Sequence, residues 1–294
     1  MSLSLRLMGT GAAAKRRRVW LLLLVVFVAL GSACSTLQPP DANGPRADIQ
    51  RYPVVLLGDP TKQAENLLAW RRLAQSNGLP EQADVKLSSA TGTLQSLPPG
   101  LTSPILLPAV GETKQTEEQI RESLKRFITE WKPLIGADPA ELSLIEIIDE
   151  PAGVKLARYE QHPFRFPLRG RFGNLIIRFT SDRRVVDLSS SCLPDAKRLE
   201  GTLAETTPKL TAEDAANNLT GRSISVPSPG GQPATFTVSS LDAINVRQLV
   251  VYVKQVADQP GSLELHLAWE IDLKNAPVKT IYLDAIESQV LGAS

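Results

Sequence analysis

Ser262-Leu263-Glu264-Leu265-His266-Leu267-Ala268-Trp269-Glu270-Ile271-Asp272-Leu273 sets the fold class of this chain. Leu263, Leu265, Leu267, Trp269, Ile271 and Leu273 occupy one parity, and Glu264, His266, Ala268, Glu270 and Asp272 the other. Successive side chains of a strand point to opposite faces, so this alternation predicts an antiparallel strand with one face on a core and one facing water. Glu264, His266, Glu270 and Asp272 share the second face and are donor types for a metal. Carboxylates on an open sheet face are ordinarily just solvated, and the expectation is that no metal or cofactor binds.

Around this strand lies an antiparallel set. Apolar runs at 234–239, 248–255, 280–284 and 289–291 predict further strands, and Thr211 to Asp214 opens a short helix through Ala215, Ala216 and Leu219 that stops at Gly221. Residues 203–209, with Thr206, Thr207 and Pro208, predict a linker. Upstream the order is the same. Thr116 with Gln119 fits a capping box, and Ile120, Leu124, Phe127, Ile128 and Trp131 recur at helical spacing until Pro133 and Gly136. Strands are predicted at 142–148, 154–159, 172–179 and 184–190, with tight turns at 149–153 and 181–183. The expected fold is therefore α+β, two consecutive helix-plus-antiparallel-sheet modules over 111–202 and 203–294.

Residues 51–110 are harder to read. Asp59 or Thr61 can cap a helix carrying Ala64, Leu67, Leu68 and Leu73 up to Gly78, and 84–97 fits a hairpin turning at Thr91-Gly92. Pro98, Pro99, Pro104 and Pro108 make the next stretch a loop or a sheet edge.

The N-terminus has the pattern of an export signal. Lys15, Arg16, Arg17 and Arg18 precede the wholly apolar run Val19 to Leu30, and Gly31-Ser32-Ala33 leads into Cys34. Twelve residues rise only ~18 Å as a helix, short of a ~30 Å hydrocarbon core, which favours a secretory signal over a membrane span. The segment resembles a bacterial lipobox, with Gly31 where a Leu is usual and Leu30 one place early. That resemblance implies cleavage of 1–33 and lipid attachment at Cys34. Residues 34–50 then form a Pro-, Asp- and Asn-containing tether. Ser35, where an Asp marks inner-membrane retention in some bacteria, leans the expected address toward the outer membrane of the cell envelope.

Composition agrees with export followed by folding. Hydrophobic residues are 43% and charged residues 21%, values of an ordinary globular body. Loss of the signal removes five basic and no acidic residues, leaving 27 basic against 31 acidic, a net −4 that offers no nucleic-acid surface. Cys192 is the only cysteine besides Cys34, so there is no disulfide framework, and its expected state is a buried small hydrophobe.

Two stretches carry a family resemblance. Ala157-Arg158-Tyr159-Glu160-Gln161, then Pro167-Leu168-Arg169-Gly170, a hydrophobic strand, a turn at Asp182 and Val185-Val186 resemble the propeptide domain of the fungalysin and thermolysin families. Leu267-Ala268-Trp269-Glu270-Ile271 followed by Tyr282-Leu283-Asp284-Ala285 and Val290-Leu291 resembles a PepSY domain, with Glu287-Ser288 in place of the family's Thr-Gly turn. The resemblance spans roughly residues 116–291. It implies a free-standing relative of a protease propeptide, a type of domain associated with assisting folding and inhibiting a cognate protease.

Catalytic signatures are missing from the sequence. The two histidines, His162 and His266, belong to no His-Glu-x-x-His helix, Ser189 to Ser191 lack a Gly-x-Ser-x-Gly elbow, and Cys192 has no local context that lowers a thiol pKa. The expectation is a non-enzymatic, membrane-anchored binding module that restrains or chaperones an exported protease or another envelope protein; the alternative is a structural envelope lipoprotein unrelated to proteases. The candidate contact surface is Phe164, Arg165, Phe166, Arg169 and Arg171, because aromatic and Arg side chains are enriched at interfaces, and this loop with the neighbouring strand edge is expected to contact an extended segment of a partner by strand addition. Against this stands the simpler reading, in which the Phe residues join the core and the Arg residues lie along the surface.

Overall fold

The computed structural model describes residues 52–80, 85–99, 101, 103–111, 116–226 and 234–294, all within one compact unit, Gln50–Ser294. The signal, Cys34 and the tether lie outside the described residues. Among those described, no helix is long and apolar enough to cross a membrane.

The chain begins with strand β1 (Val54–Leu57) and helix α1 (Pro60–Ser76), whose N-cap Asp59 accepts from the Thr61 amide. A short hairpin, β2 (Lys86–Leu87) and β3 (Leu94–Ser96), precedes β4 (Ile105–Leu106). Thr116 and Gln119 then form the expected reciprocal cap of α2 (Glu117–Glu130), which runs through Trp131 into α3 (Lys132–Ile135). Four strands follow in a meander: β5 (Leu142–Glu150), β6 (Val154–Gln161), β8 (Asn174–Thr180) and β9 (Arg184–Ser190), with the two-residue β7 (Leu168–Arg169) between the second and third. Helices α4 (Ala196–Ala204) and α5 (Ala212–Leu219) lead to the hairpin β10 (Ser223–Val226) and β11 (Ala234–Thr237). The last strands are β12 (Ile244–Gln255), β13 (Ser262–Leu273), β14 (Thr280–Asp284) and β15 (Val290–Ala293).

The architecture is α+β, with two principal sheets that are antiparallel apart from the short parallel pairing of β7 with β12. The first has order β4-β9-β8-β6-β5. Leu124, Phe127, Ile128 and Trp131 form one stripe of α2 and its C-cap and pack on the sheet's Ala157, Tyr159, Leu175, Ile177 and Leu188. Phe127 stacks on Trp131 with ring centroids 5.0 Å apart, and Trp70 of α1 meets the edge of Trp131 at 6.2 Å. Burying a side chain the size of Phe127 stabilises the fold by about 1.5–3 kcal/mol.

The second sheet has order β15-β14-β13-β12-β7, and β1 also pairs with β13 where β14 stops short of it. Its apolar face, Leu263, Leu265, Ile271, Val251 and Leu283, is covered by Ala196, Leu199 and Leu203 of α4 and by Ala215 and Leu219 of α5. Two of its strands come from before residue 203. β1 sits opposite Leu263 and Leu265, and β7 runs parallel to β12 with Leu168 beside Val251 and Arg169 beside Tyr252.

Two sequence expectations need correcting, and two strands are absent from the sequence reading. The linker at 203–209 begins inside α4, whose short apolar spacing of Ala196, Leu199 and Leu203 escapes a longer periodicity window. β1 and β7 are too short to carry an alternation. Most consequentially, the polar parity of β13 does not face water: His266 is 1% exposed and Glu270 3%. The strand is central, and side chains from other parts of the chain cover that face.

Candidate functional site

The covered face of β13 is a network of paired polar groups. Asp284 is 0% exposed, and its Oδ2 accepts from the Tyr52 hydroxyl at 2.9 Å and lies 2.8 Å from His266 Nδ1. Its Oδ1 accepts the amides of Ile286 at 2.7 Å and Glu287 at 2.8 Å, which closes the turn after β14. Burial works against the Asp284 charge, and the hydrogen bonds from His266, those two amides and Tyr52 outweigh it, holding the carboxyl below its ordinary range. Burial pushes the Tyr52 phenol well above its usual value, so it stays a hydroxyl donor. His266 Nε2 lies 3.3 Å from Glu264, and the Leu267 amide donates to the Tyr52 oxygen at 3.0 Å.

One strand register away, Glu270 is held the same way. Arg169 Nε donates to its Oε1 at 2.7 Å, and Gln248 donates to Oε2 at 2.8 Å. Burial opposes this charge too, yet the two donors dominate and keep the carboxyl below its usual range. A buried carboxylate needs such partners, because an unpaired charge away from water costs several kcal/mol. Each carboxylate of the two clusters has its partners within the chain. Among the described residues no three His, Cys, Asp or Glu side chains are arranged to hold a metal ion.

A groove of about 480 Å³ is lined by Ser143, Ile145, Glu160 and Asn174 on the first sheet, by residues of the 162–172 segment other than Pro163 and Arg171, and by Tyr282. The segment named from the sequence builds its wall. Phe164 is buried and Phe166 half-buried, both against the apolar face of the second sheet, and they anchor the segment. Gly170 makes the approach to the second sheet possible: its φ is 96°, and a Cβ there would lie 2.6 Å from the Val253 carbonyl oxygen. Arg169 is committed to Glu270. Arg165 and Arg171 are exposed; the Arg165 guanidinium lies 5.3 Å from the Phe166 ring centroid, and neither cation has an ion-pair partner among the described residues. The five sequence candidates thus divide: Phe164, Phe166 and Arg169 position the segment, while Arg165 and Arg171 face outward.

The sequence reading expects a strand edge beside this segment without saying which strand. β5 is an edge strand of nine residues, and among the described residues no strand lies on its outer side. The edges β4, β7 and β15 are two to four residues long. A bulge between Leu144 and Glu146 leaves Ile145 unpaired with β6, and its side chain, 46% exposed, stands at the groove. Only strand order, which is a tertiary property, makes β5 an edge. Cys192 takes no part: it is buried, and burial pushes its thiol up to about 12.

These features define an α+β protein with an open sheet edge running into a mixed apolar and cationic groove. No protein-family model matches the chain, and no curated protein matches it.

Proposed function

We propose that this chain is a non-catalytic binding module, held at the bacterial envelope through acylated Cys34, that takes up an extended segment of an exported protein, a protease among the candidates. The observation that carries this reading is the nine-residue open edge of β5 leading into the groove walled by residues 162–172. An unpaired edge presents backbone N–H and C=O groups at alternate residues, which a partner strand can satisfy. Ile145 and Leu168 supply apolar contact beside it, and Arg165 supplies an exposed cation. The polar clusters of the second sheet are internally satisfied, which supports a structural rather than a chemical role for them. The lipobox-like sequence supports the anchor, and a tethered module acts at a raised local concentration.

Crosslinking in the intact envelope tests the proposal. A partner should be recovered with the parent chain and be depleted with Arg165→Ala combined with Arg171→Ala, two exposed positions that leave the fold intact. Equal recovery of every partner by both proteins counts against the groove as the binding surface.

A further inference from the structure

Resting on the strand-addition reading above, we infer that the segment bound along β5 is acidic at its C-terminal end, with its carboxylates placed in the groove against Arg165 and Arg171. Three observations carry this. First, the cations beside β5 are shared: Arg158 lies 3.5 Å from both Glu146 and Glu160, Lys155 pairs with Asp149, and Arg178 pairs with Glu150 at 3.1 Å and with Asp187 at 2.8 Å. The Asp149 and Glu150 end of the edge therefore has no spare cation.

Second, the charge balance changes at the Leu142 end. The groove is lined by His162, Arg165 and Arg169 against Glu160, and Arg171 lies in sequence between the lining residues Gly170 and Phe172. Arg169 is held by Glu270, and Glu160 shares Arg158 with Glu146, which leaves Arg165 and Arg171 as exposed cations without an ion-pair partner among the described residues. Complementary charge at an interface fixes register and rejects wrong partners more than it raises raw affinity. Arginine also pairs carboxylates in a two-pronged geometry that a lysine cannot match.

Third, direction follows from the sheet. Every neighbouring pair in the first sheet is antiparallel, and antiparallel pairing is the somewhat more stable ladder. A strand added antiparallel to β5 ends where β5 begins, beside Ser143 and Ile145, which line the groove. Its last residues, side chains and terminal carboxylate included, then reach the two arginines. A second copy of β5 pairing antiparallel would bring the Asp149 and Glu150 end of one strand to this point, but those acids are already paired.

The test is fluorescence anisotropy on the full-length chain in detergent, with labelled eight-residue peptides sharing a Thr/Val-alternating body. One carries three glutamates at its C-terminus, one carries them at its N-terminus, one carries three C-terminal lysines, and one has prolines at alternate body positions. The C-terminal glutamate peptide should bind at least tenfold more tightly than the other three, and added salt should weaken it. Arg165→Glu with Arg171→Glu should abolish that preference while the unfolding midpoint stays that of the parent, and Arg165→Lys with Arg171→Lys should keep part of it. Equal binding of the two glutamate peptides, or preference for lysine, overturns the acidic-end inference and leaves strand addition standing. Equal binding of the proline peptide, or no binding by any peptide, overturns strand addition itself. A chain dimer that the peptides do not dissociate assigns the edge to a second copy and also overturns the inference.

Discussion

His266 Nδ1 lies 2.8 Å from Asp284 Oδ2 in a part of the protein where the histidine is 1% exposed and the aspartate 0%. The pair joins β13 to β14 and, through the Tyr52 hydroxyl on the same carboxylate oxygen, ties in the start of the described chain. Asp284→Ala would leave Tyr52, His266 and two backbone amides without their acceptor. Leaving a buried donor unsatisfied costs about 1–3 kcal/mol, so urea unfolding of the variant should show a loss of about 3 kcal/mol. A loss under about 1 kcal/mol would mean water replaces the carboxylate readily.

Acid should unfold this protein partly through Asp284 and Glu270. Both carboxyls are held below their ordinary range in the fold, so the unfolded chain binds more protons than the folded one in that interval. Their stabilisation is complete above the unfolded values, about 3.9 for Asp and 4.3 for Glu, and is lost as pH falls through the lower folded values. Unfolding free energy measured against pH should therefore drop below about pH 4, and less steeply in Asp284→Asn. Identical slopes for parent and variant would remove Asp284 from the account.

Arg169 and Glu270 form the pair that fixes the 162–172 segment to the second sheet, at 2.7 Å. Arg169→Ala leaves Glu270 with Gln248 and with the more distant Arg247 at 3.9 Å. The side chain of Arg169 is partly open to solvent, which screens the pair, so a loss of about 2 kcal/mol is expected. A double-mutant cycle with Glu270→Gln should show a coupling of about 0.5–3 kcal/mol; independent effects would show that the two groups do not stabilise each other.

Gly170→Ala probes the same junction through the backbone. With φ at 96° and a Cβ 2.6 Å from the Val253 carbonyl oxygen, the substitution strains the residue and pushes β7 from β12. A destabilisation of about 1–3 kcal/mol should appear in thermal or urea unfolding. Full retention of stability would show that β7 contributes nothing to the second sheet.

Cys192 should be inert while the chain is folded. Its thiol is buried and its pKa pushed up to about 12, so in a Cys34→Ser background a thiol reagent at pH 8 should label it only at the rate of unfolding. Rapid labelling without denaturant would contradict the buried position.

Cys34→Ala tests the anchor independently of the body. The variant should move from the membrane fraction to the soluble fraction of the envelope, and retention with the membrane would defeat lipid attachment at Cys34.

Much of the local structure was legible residue by residue. Thr116 with Gln119, Thr211 with Asp214 and Asp59 are caps whose partners lie two or three positions away, and the apolar stripe of α2 repeats within one helix. The turn at Thr91-Gly92 and the meander from Leu142 to Ser190 were readable for the same reason, since each strand pairs with a near neighbour. The segment from Phe164 to Arg171 was legible as a mixed aromatic and Arg stretch, but which of its side chains are buried and which face outward was not visible. Arg169 points inward because Glu270, 101 positions away, is there to receive it.

Ser262 to Leu273 shows where sequence ends and tertiary structure begins. Alternation alone determined that this stretch is a strand and that Leu263, Leu265 and Ile271 face a core, because the two-residue period is a property of one chain segment. Whether Glu264, His266 and Glu270 meet water depended on Tyr52 and Arg169 being delivered to that face by β1 and β7, over more than a hundred residues in the case of Arg169. Likewise, β5 is a strand by its own residues and an edge only by the order of the sheet. Local periodicity is written in neighbouring side chains; burial and exposure depend on which distant segment pays the entropy of closing a long loop to cover them.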